Sequence, residues 1–510
     1  MTVVPRLPIA AQRRAALERL AEDAVDVLVV GGGITGAGVA LDAASRGLRV
    51  ALIEAEDLAF GTSRWSSKLV HGGLRYLATG DIATARESAE ERHLLMTVIA
   101  PHLIRPLPQL LPFGRGVDLR QRVGGAVGMG LGDLLRLRAG TKRSVLAPPR
   151  LVSRATAQRL VPALDPHGLR GGVLGADGQL IDDARLVVAV CRTAAGLGAD
   201  ILTRVRARRL HGTGADVEDA LTGERFALRA GVVVNATGVW AGSLDDRLRV
   251  RPSRGTHIVL DAAALSSPHV ALTVPHPGSL SRFVFALPQQ LGRVVVGLTD
   301  EDAPGPIPPV PTPEESEIAF LLQTISRVLA QPVARDAVIG AYSGLRPLVD
   351  AGDGSSSADV SRRHLVALAD DGFVSVLGGK LTTYRRMAQD AVDLAAARLG
   401  RPVPPSRTAR LGLVGAIGRS DDAPAAMLAR FGVEARTVLA EARCEAPAEL
   451  IAPGLDVRRA EIEFAVRAEG ALTVGDVLDR RTRIGLVPAD RDRAVEAVHG
   501  IVEGALADPL

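Results

Sequence analysis

The stretch Asp26 to Glu54, DVLVVGGGITGAGVALDAASRGLRVALIE, constrains this chain more than any other. Val25, Val27, Leu28, Val29 and Val30 form a near-continuous apolar run, as expected of a parallel strand covered on both faces. Gly31, Gly33 and Gly36 follow it in the spacing G-x-G-x-x-G. The first glycine permits a tight turn, the second lets a pyrophosphate approach the backbone, and the third allows the next helix to pack on the strand. That helix aims its free amides and positive dipole end at the phosphate. Arg49 to Ile53 read as a second strand with Glu54 at its end, about 20 residues past the glycines, the usual place for a carboxylate on a ribose hydroxyl. A glycine triplet alone is weak evidence, because any tight turn uses glycine. Strand, turn, helix and acid in this order point to a dinucleotide, and the acid favours FAD or NAD over a 2′-phosphorylated ribose.

The remaining composition narrows the class. A chain of 510 residues, 47% hydrophobic and 23% charged, is globular and long enough for two to four domains. The net charge of +4 is the small difference between 61 basic and 57 acidic residues, and aromatics at 3% leave few stacking platforms, so no nucleic-acid partner is expected. Two cysteines, Cys191 and Cys444, rule out a disulfide framework or a cysteine-rich metal site, and no metal is expected. Cys191 reads as a buried helix residue. Without a continuous apolar segment near the start or a run of 18 apolar residues, neither a secretory signal nor a membrane span is expected. The expected location is cytoplasmic, or peripheral on the cytoplasmic face of the inner membrane.

Phe60 to Leu77, FGTSRWSSKLVHGGLRYL, crowds hydroxyls, Lys68, His71, two glycines, Arg75 and Tyr76 into a stretch that suits neither helix nor strand. Polar groups packed between apolar anchors suggest a loop laid along a polar ligand. Around it, residues 8–23 read as a helix with Arg13, Arg14 and Arg19 on its polar side. Glu87 to Val98 and Asp182 to Gly196 read as helices, the latter with a carboxylate at its N-terminus where the dipole favours one. Ile201 to Val205, Phe226 to Arg229 and Val232 to Asn235 read as strands, the last running into the turn Ala236-Thr237-Gly238. From 248 to 340 strands dominate, with a proline-rich connector at 303–313. Gly378-Gly379 again opens a helix, whose free amides suit a negatively charged ligand edge. Residues 403–408 read as a linker, and 414–507 as a helical domain in which Arg480, Arg481 and Arg483 form a solvated or inter-domain face. Cations and apolar residues mix over 115–150, which admits a solvated basic loop and helix or a membrane-facing patch.

The glycine unit followed by GTSRWSSKLVHGGLRYL resembles the FAD-dependent, aerobic, quinone-linked glycerol-3-phosphate dehydrogenases. The resemblance continues in LIDDARLVV (180–188), VVVNATGVWA (232–241), RGTHIVL (254–260), YSGLRPL (342–348), LGGKLTTYRRMA (377–388) and LDRRTRIGL (478–486), and so spans nearly the whole chain. Arg64-Trp65 departs from it, standing where small polar residues are usual. The resemblance implies an α/β, Rossmann-like FAD-binding domain with a parallel sheet, an inserted antiparallel-sheet substrate domain and a C-terminal helical domain. The expected division is 20–90, 150–247 and 340–402 for the FAD domain, 91–149 and 248–339 for the substrate domain, and 409–510 for the helical domain.

It further implies oxidation of sn-glycerol 3-phosphate, with a quinone as electron acceptor, a peripheral membrane surface as a partner and a homodimer allowed. FAD contacts are implied for Gly31, Gly33, Ile34, Thr35, Gly36, Glu54, Thr62, Ser63, Ser67, Lys68, Leu69, Gly72, Gly73, Val205, Ala236, Thr237, Gly238, Gly379, Lys380, Leu381 and Thr382. Arg75 and Arg346 are assigned to the phosphate, since the guanidinium fork suits it, and Tyr76 to the pocket wall. Lys380 is assigned to the developing alkoxide or the reduced flavin, and His257 or His71 to the base, with His257 preferred. Three other readings stand beside this one: an oxidase of the same fold using oxygen, an amino-acid oxidase, and a non-catalytic flavin-bound adaptor.

Overall fold

A computed structural model of the chain describes residues 5–73, 76, 80–349, 364–418 and 422–508. Arg75 lies outside the described residues. Val25–Val30 forms the centre of an eight-stranded sheet among those residues, because it is apolar on both faces and can be covered on both. It runs parallel to Val50–Glu54 on one side and Arg225–Asn235 on the other. Asp200–Thr203 and Val374–Gly378 extend the parallel set, and His364–Leu368 closes one edge antiparallel. The two strands expected at 226–229 and 232–235 are one, Arg225–Asn235, whose first half pairs instead with the antiparallel ribbon Val205–His211 and Gly214–Asp219.

One face of this sheet carries the helices Ile34–Ser45, Asp183–Ala195 and Tyr384–Arg398. A Cβ on Gly38 would lie 2.9 Å from the Tyr384 ring and 3.1 Å from Ala388 Cβ, so the small residue sets how closely these helices approach. Cys191 is buried in that layer as expected. The opposite face is covered by Ala10–Glu22 and the ribbon. Arg13 departs from the expected polar side: it is buried and its guanidinium donates to Asp219 at 2.7 Å and to the carbonyls of Thr203 and Arg204.

A second sheet, ten-stranded among the described residues and mainly antiparallel, is built around Val250–Asp261, which pairs with Arg293–Gly297 and, from Val250 to Leu260, with Val338–Val349. Residues 340–349 belong to this sheet, and so do Arg150–Ser153 and Gly171–Leu180, which pair with each other, the latter also with Ile104–Pro112. All three were expected in the nucleotide domain. Helix Glu315–Ser326, within a region read as strands, covers the outer face with Ile318, Leu321, Leu322 and Ile325, an i, i+3, i+4, i+7 stripe. The helix expected at 87–98 runs from Ile82 to Leu94 and continues as a wider turn through Ile99.

The C-terminal unit is helical, with Arg459–Arg467 packed on Pro488–Ala507 and two small apolar cores. Arg480, Arg481 and Arg483 are not solvated. Arg480 and Arg481 are buried against Asp57 of the nucleotide domain, and Arg483 donates to the Arg64 carbonyl, so the inter-domain reading of this face holds.

Candidate functional site

A cavity of about 990 Å³ lies between the carboxyl ends of the parallel strands and the inner face of the second sheet, the crevice where open α/β sheets bind ligands. One end is made by the glycine turn. Gly31 has φ +114°, and a Cβ there would lie 2.6 Å from the Ala236 carbonyl oxygen, so glycine alone fits between the two strand ends. A Cβ on Gly36 would lie 1.9 Å from the Gly31 carbonyl oxygen, which fixes the close seat of helix Ile34–Ser45. The Ile34 amide, at the helix N-terminus, donates to Ser63 Oγ at 2.9 Å. Glu54 accepts from the Gly32 amide at 2.6 Å and the Glu56 amide at 2.8 Å. Burial pushes its carboxyl above the ordinary range, and those two amides partly offset the rise. The backbone cradle, the helix end and the placed acid fit a dinucleotide.

The far end gathers cations and a histidine. Lys380 Nζ donates to Ser88 Oγ at 2.6 Å and lies 4.2 Å from the centre of the Tyr76 ring. Arg346 donates to Asp300 Oδ1 at 2.8 Å, to Ser253 Oγ at 3.2 Å and to the Thr299 carbonyl at 3.1 Å. Its guanidinium occupies the space that a side chain at Gly255 would fill. His257 Nε2 is 2.8 Å from Ser67 Oγ, and the ring stacks on Tyr342 at 4.9 Å. Burial, then the positive charges of Lys68 and Arg346, hold this imidazole down to about 3, so it is neutral in the ligand-free protein. His71 also lines the cavity, half-buried, its Nδ1 accepting from the Gly73 amide at 3.3 Å.

The loop between these ends is held from behind. Asp183 Oδ2 accepts from both the amide and the hydroxyl of Ser66, and its other oxygen lies 3.5 Å from Lys68 Nζ. Tyr342 donates its hydroxyl to the Ser66 carbonyl at 3.1 Å. Lys68 takes φ +55°, an unfavourable conformation for a side-chained residue that these anchors impose. Charges of Lys68 and Arg483 outweigh burial and hold the Asp183 carboxyl down to about 2. The unusual pair Arg64-Trp65 joins the same anchorage: Trp65 stacks on Tyr342 at 5.5 Å, with Arg64 at 4.1 Å and Arg483 at 5.4 Å from the indole ring.

Nearly all of the residues expected from sequence come together. Gly31, Gly33, Ile34, Thr35, Glu54, Thr62, Ser63, Ser67, Leu69, Val205, Ala236 to Gly238 and Gly379 to Thr382 line the cavity with Tyr76, His71, His257 and Arg346. Four sit behind the wall: Gly36 under the turn, Lys68 on Asp183, Gly72 with its amide on Asp177, and Gly73 against Ser88. Sequence reasoning missed Asp300 and Ser88, the partners of Arg346 and Lys380. The helix expected within 115–150 is Leu119–Arg138, but its place at the cavity was not foreseen: Gly124, Gly125 and Gly128 help close the cavity's outer side, and the recurring glycines were the available signal.

Residues 26–385 match the FAD dependent oxidoreductase family, and residues 376–507 match the C-terminal domain of alpha-glycerophosphate oxidase. The chain is 53% identical to glycerol-3-phosphate dehydrogenase 1 of Mycobacterium tuberculosis, over 95% of this chain and 96% of that protein. It is 36% identical to a mitochondrial glycerol-3-phosphate dehydrogenase of Arabidopsis thaliana, over 97% of this chain and 84% of the relative. Its fold matches that of a glycerol-3-phosphate dehydrogenase from Bacillus halodurans, solved with FAD, with a TM-score of 0.74 at 24% identity over 98% and 99% of the two chains. The chain belongs to the FAD-dependent glycerol-3-phosphate dehydrogenases.

Proposed function

We propose that this chain oxidises sn-glycerol 3-phosphate to dihydroxyacetone phosphate and passes the electrons to a quinone. The carrying observation is one cavity with a dinucleotide cradle at one end and Lys380, Arg346 and a neutral His257 at the other. FAD, when bound by the cradle, supplies the hydride acceptor. Arg346 presents a fixed fork to the phosphate dianion, already oriented by Asp300, Ser253 and Thr299. Lys380 puts a positive charge beside the hydroxyl that loses its proton, and Tyr76 walls the pocket. His257 takes the proton. Its low basicity arises in part from Arg346 and Lys68, so a bound dianion that offsets those charges raises it toward the working range. Closing helix Leu119–Arg138 over this end keeps bulk water from the reacting centre.

That helix also supports the membrane and quinone parts of the proposal. Leu119 is 72% exposed, Val123 55%, Leu134 48% and Leu137 55% along the outer face, and the exposed Val127 and Leu131 stand at the cavity rim. Arg120, Arg138, Lys142 and Arg143 flank the stripe. Exposed apolar residues beside cations suit an anionic lipid interface, which supports a reading in which the cavity's outer wall lies against it. No helix among the described residues is long and apolar enough to cross a membrane, so attachment is peripheral in this proposal.

Anaerobic titration of the FAD-loaded protein with sn-glycerol 3-phosphate tests the reaction. The flavin bands should bleach with this compound and not with glycerol. Bands that persist would remove the substrate, and stoichiometric hydrogen peroxide in air would replace the quinone with oxygen.

A further inference from the structure

The helical C-terminal unit grips the nucleotide domain at one particular loop. Asp57 lies three residues beyond Glu54 and is buried away from the cavity. Arg481 donates to both of its oxygens at 2.9 Å, and Arg480 to one of them at 2.6 Å. Arg480 is held in turn by Asp476 at 2.5 Å, and Arg481 by the Glu469 carbonyl at 2.9 Å. These are buried, charge-paired hydrogen bonds in a fixed geometry, so the loop cannot shift without moving the helical unit.

A second tether acts on the neighbouring strand end. Arg204, with φ +60°, donates to Asp476 at 2.7 Å and 3.0 Å, and its amide donates to the Glu56 carbonyl at 3.0 Å. Arg206 donates to the Glu56 carboxylate at 2.7 Å. The loop is also stitched to the glycine turn, through Ala59 N–H to the Gly32 carbonyl at 3.0 Å and Gly32 N–H to Glu54 at 2.6 Å. The segments so fixed, Glu54 to Glu56 and Val205 to Arg208, form the same end of the cavity as the ribose acid.

We propose that the C-terminal unit is the retaining element for the adenosine end of FAD, acting through Arg480 and Arg481 on Asp57 and through Asp476 on Arg204. None of these five side chains is a catalytic residue; Asp57, Arg204, Asp476, Arg480 and Arg481 are positioning residues. Docking of Val474–Arg481 and binding of FAD are therefore coupled, and each strengthens the other. The inference rests on the reading that Glu54 and the segment after Val205 hold the adenosine.

Reconstitution of the full-length apoprotein with FAD, followed by flavin fluorescence, tests it. Arg480→Gln and Arg204→Gln should each raise the FAD dissociation constant about tenfold, within the usual range of coupling between sites. The KM for sn-glycerol 3-phosphate should stay unchanged, and excess FAD should restore flavin reduction, which a purely structural lesion would not allow. Hydrogen exchange on the unmodified chain needs no variant: FAD should slow exchange across 474–481 as well as across the glycine turn. Protection of the glycine turn alone, or unchanged FAD affinity in both folded variants, overturns the coupling. Glu54→Gln separates the two readings. If it weakens FAD and the arginine variants do not, the coupling fails while the adenosine assignment stands. If Glu54→Gln leaves affinity unchanged, the adenosine assignment fails and takes the coupling with it.

Discussion

At the scale of single residues, the cation end of the cavity makes the sharpest demands. Arg346 reaches its place because Asp300, Ser253 and Thr299 each take one of its donors. Lysine offers a point charge in place of that fork, and glutamine no charge at all. Arg346→Lys should raise KM for sn-glycerol 3-phosphate about tenfold and Arg346→Gln about a hundredfold, since a charge-assisted hydrogen bond contributes about 1.5–3 kcal/mol. Steady-state kinetics at saturating FAD reads this, and an unchanged KM in both would move the phosphate elsewhere. The two histidines are separable by single-turnover flavin reduction. His257→Ala should slow it by roughly 10²–10⁴-fold with FAD still bound, whereas His71→Ala should have the smaller effect. The opposite order would transfer the proton to His71. Residues with chemistry written into a local motif were legible in the sequence: Gly31, Glu54, His257, Arg346 and Lys380 all line the cavity. Their partners were not. Asp300 lies 46 positions from Arg346, and Ser88 lies 292 from Lys380, so only the fold makes them neighbours.

At the scale of elements, the outcome depended on whether a pattern was local. The strand, turn and helix of residues 25–54 are specified by contiguous residues, and each forms as expected. Helix Glu315–Ser326 was also written locally, in the Ile318, Leu321, Leu322 and Ile325 stripe, but the surrounding strands masked it. Helix Leu119–Arg138 was expected within a basic loop and helix, and only its place at the cavity escaped, for a different reason. Leu119, Val123, Leu134 and Leu137 face outward, while Gly124, Gly125 and Gly128 line the cavity beside Val127, Met129 and Leu131, a partial inversion of a helix that buries its apolar face. That inversion is the basis of a prediction that leaves the cavity wall untouched. The double variant Leu134→Gln, Leu137→Gln should reduce binding to anionic vesicles by about a hundredfold or more, because each leucine contributes roughly 1.5–3 kcal/mol of apolar burial. Flavin reduction in detergent-free buffer should not change, since neither side chain lines the cavity. Equal vesicle binding by the variant and the parent protein, measured by co-sedimentation, would remove this helix from the membrane face.

At the scale of the whole molecule, the seams between units carry buried charge and buried imidazole, and these set how the fold responds to acid. The boundaries themselves were poorly legible, because Gly171–Leu180 and Val338–Val349 join the second sheet through pairings with strands distant in sequence. His257 sits where that sheet meets the nucleotide domain and is held down to about 3. His102, packed near Gly415 and Gly432 of the C-terminal segment, is held down to about 4 by burial and the nearby Arg185 charge. Unfolding raises both toward the ordinary 6.5, so between these values the unfolded chain binds more protons than the folded one. Stability is therefore lost as pH falls below about 6.5, by up to about 1.4 kcal/mol per pH unit for each imidazole, and the neutral-pH plateau is untouched. Below the ordinary carboxylate value of 3.8 a second loss begins, as Asp57 and Asp183, each held near 2 by arginine or lysine partners, take up protons. Thermal unfolding of the protein across pH 4–8 should show the first limb, and His102→Asn should flatten it by about half. An acid limb of unchanged slope in that variant would mean that His102 is solvated and that this seam does not sense pH.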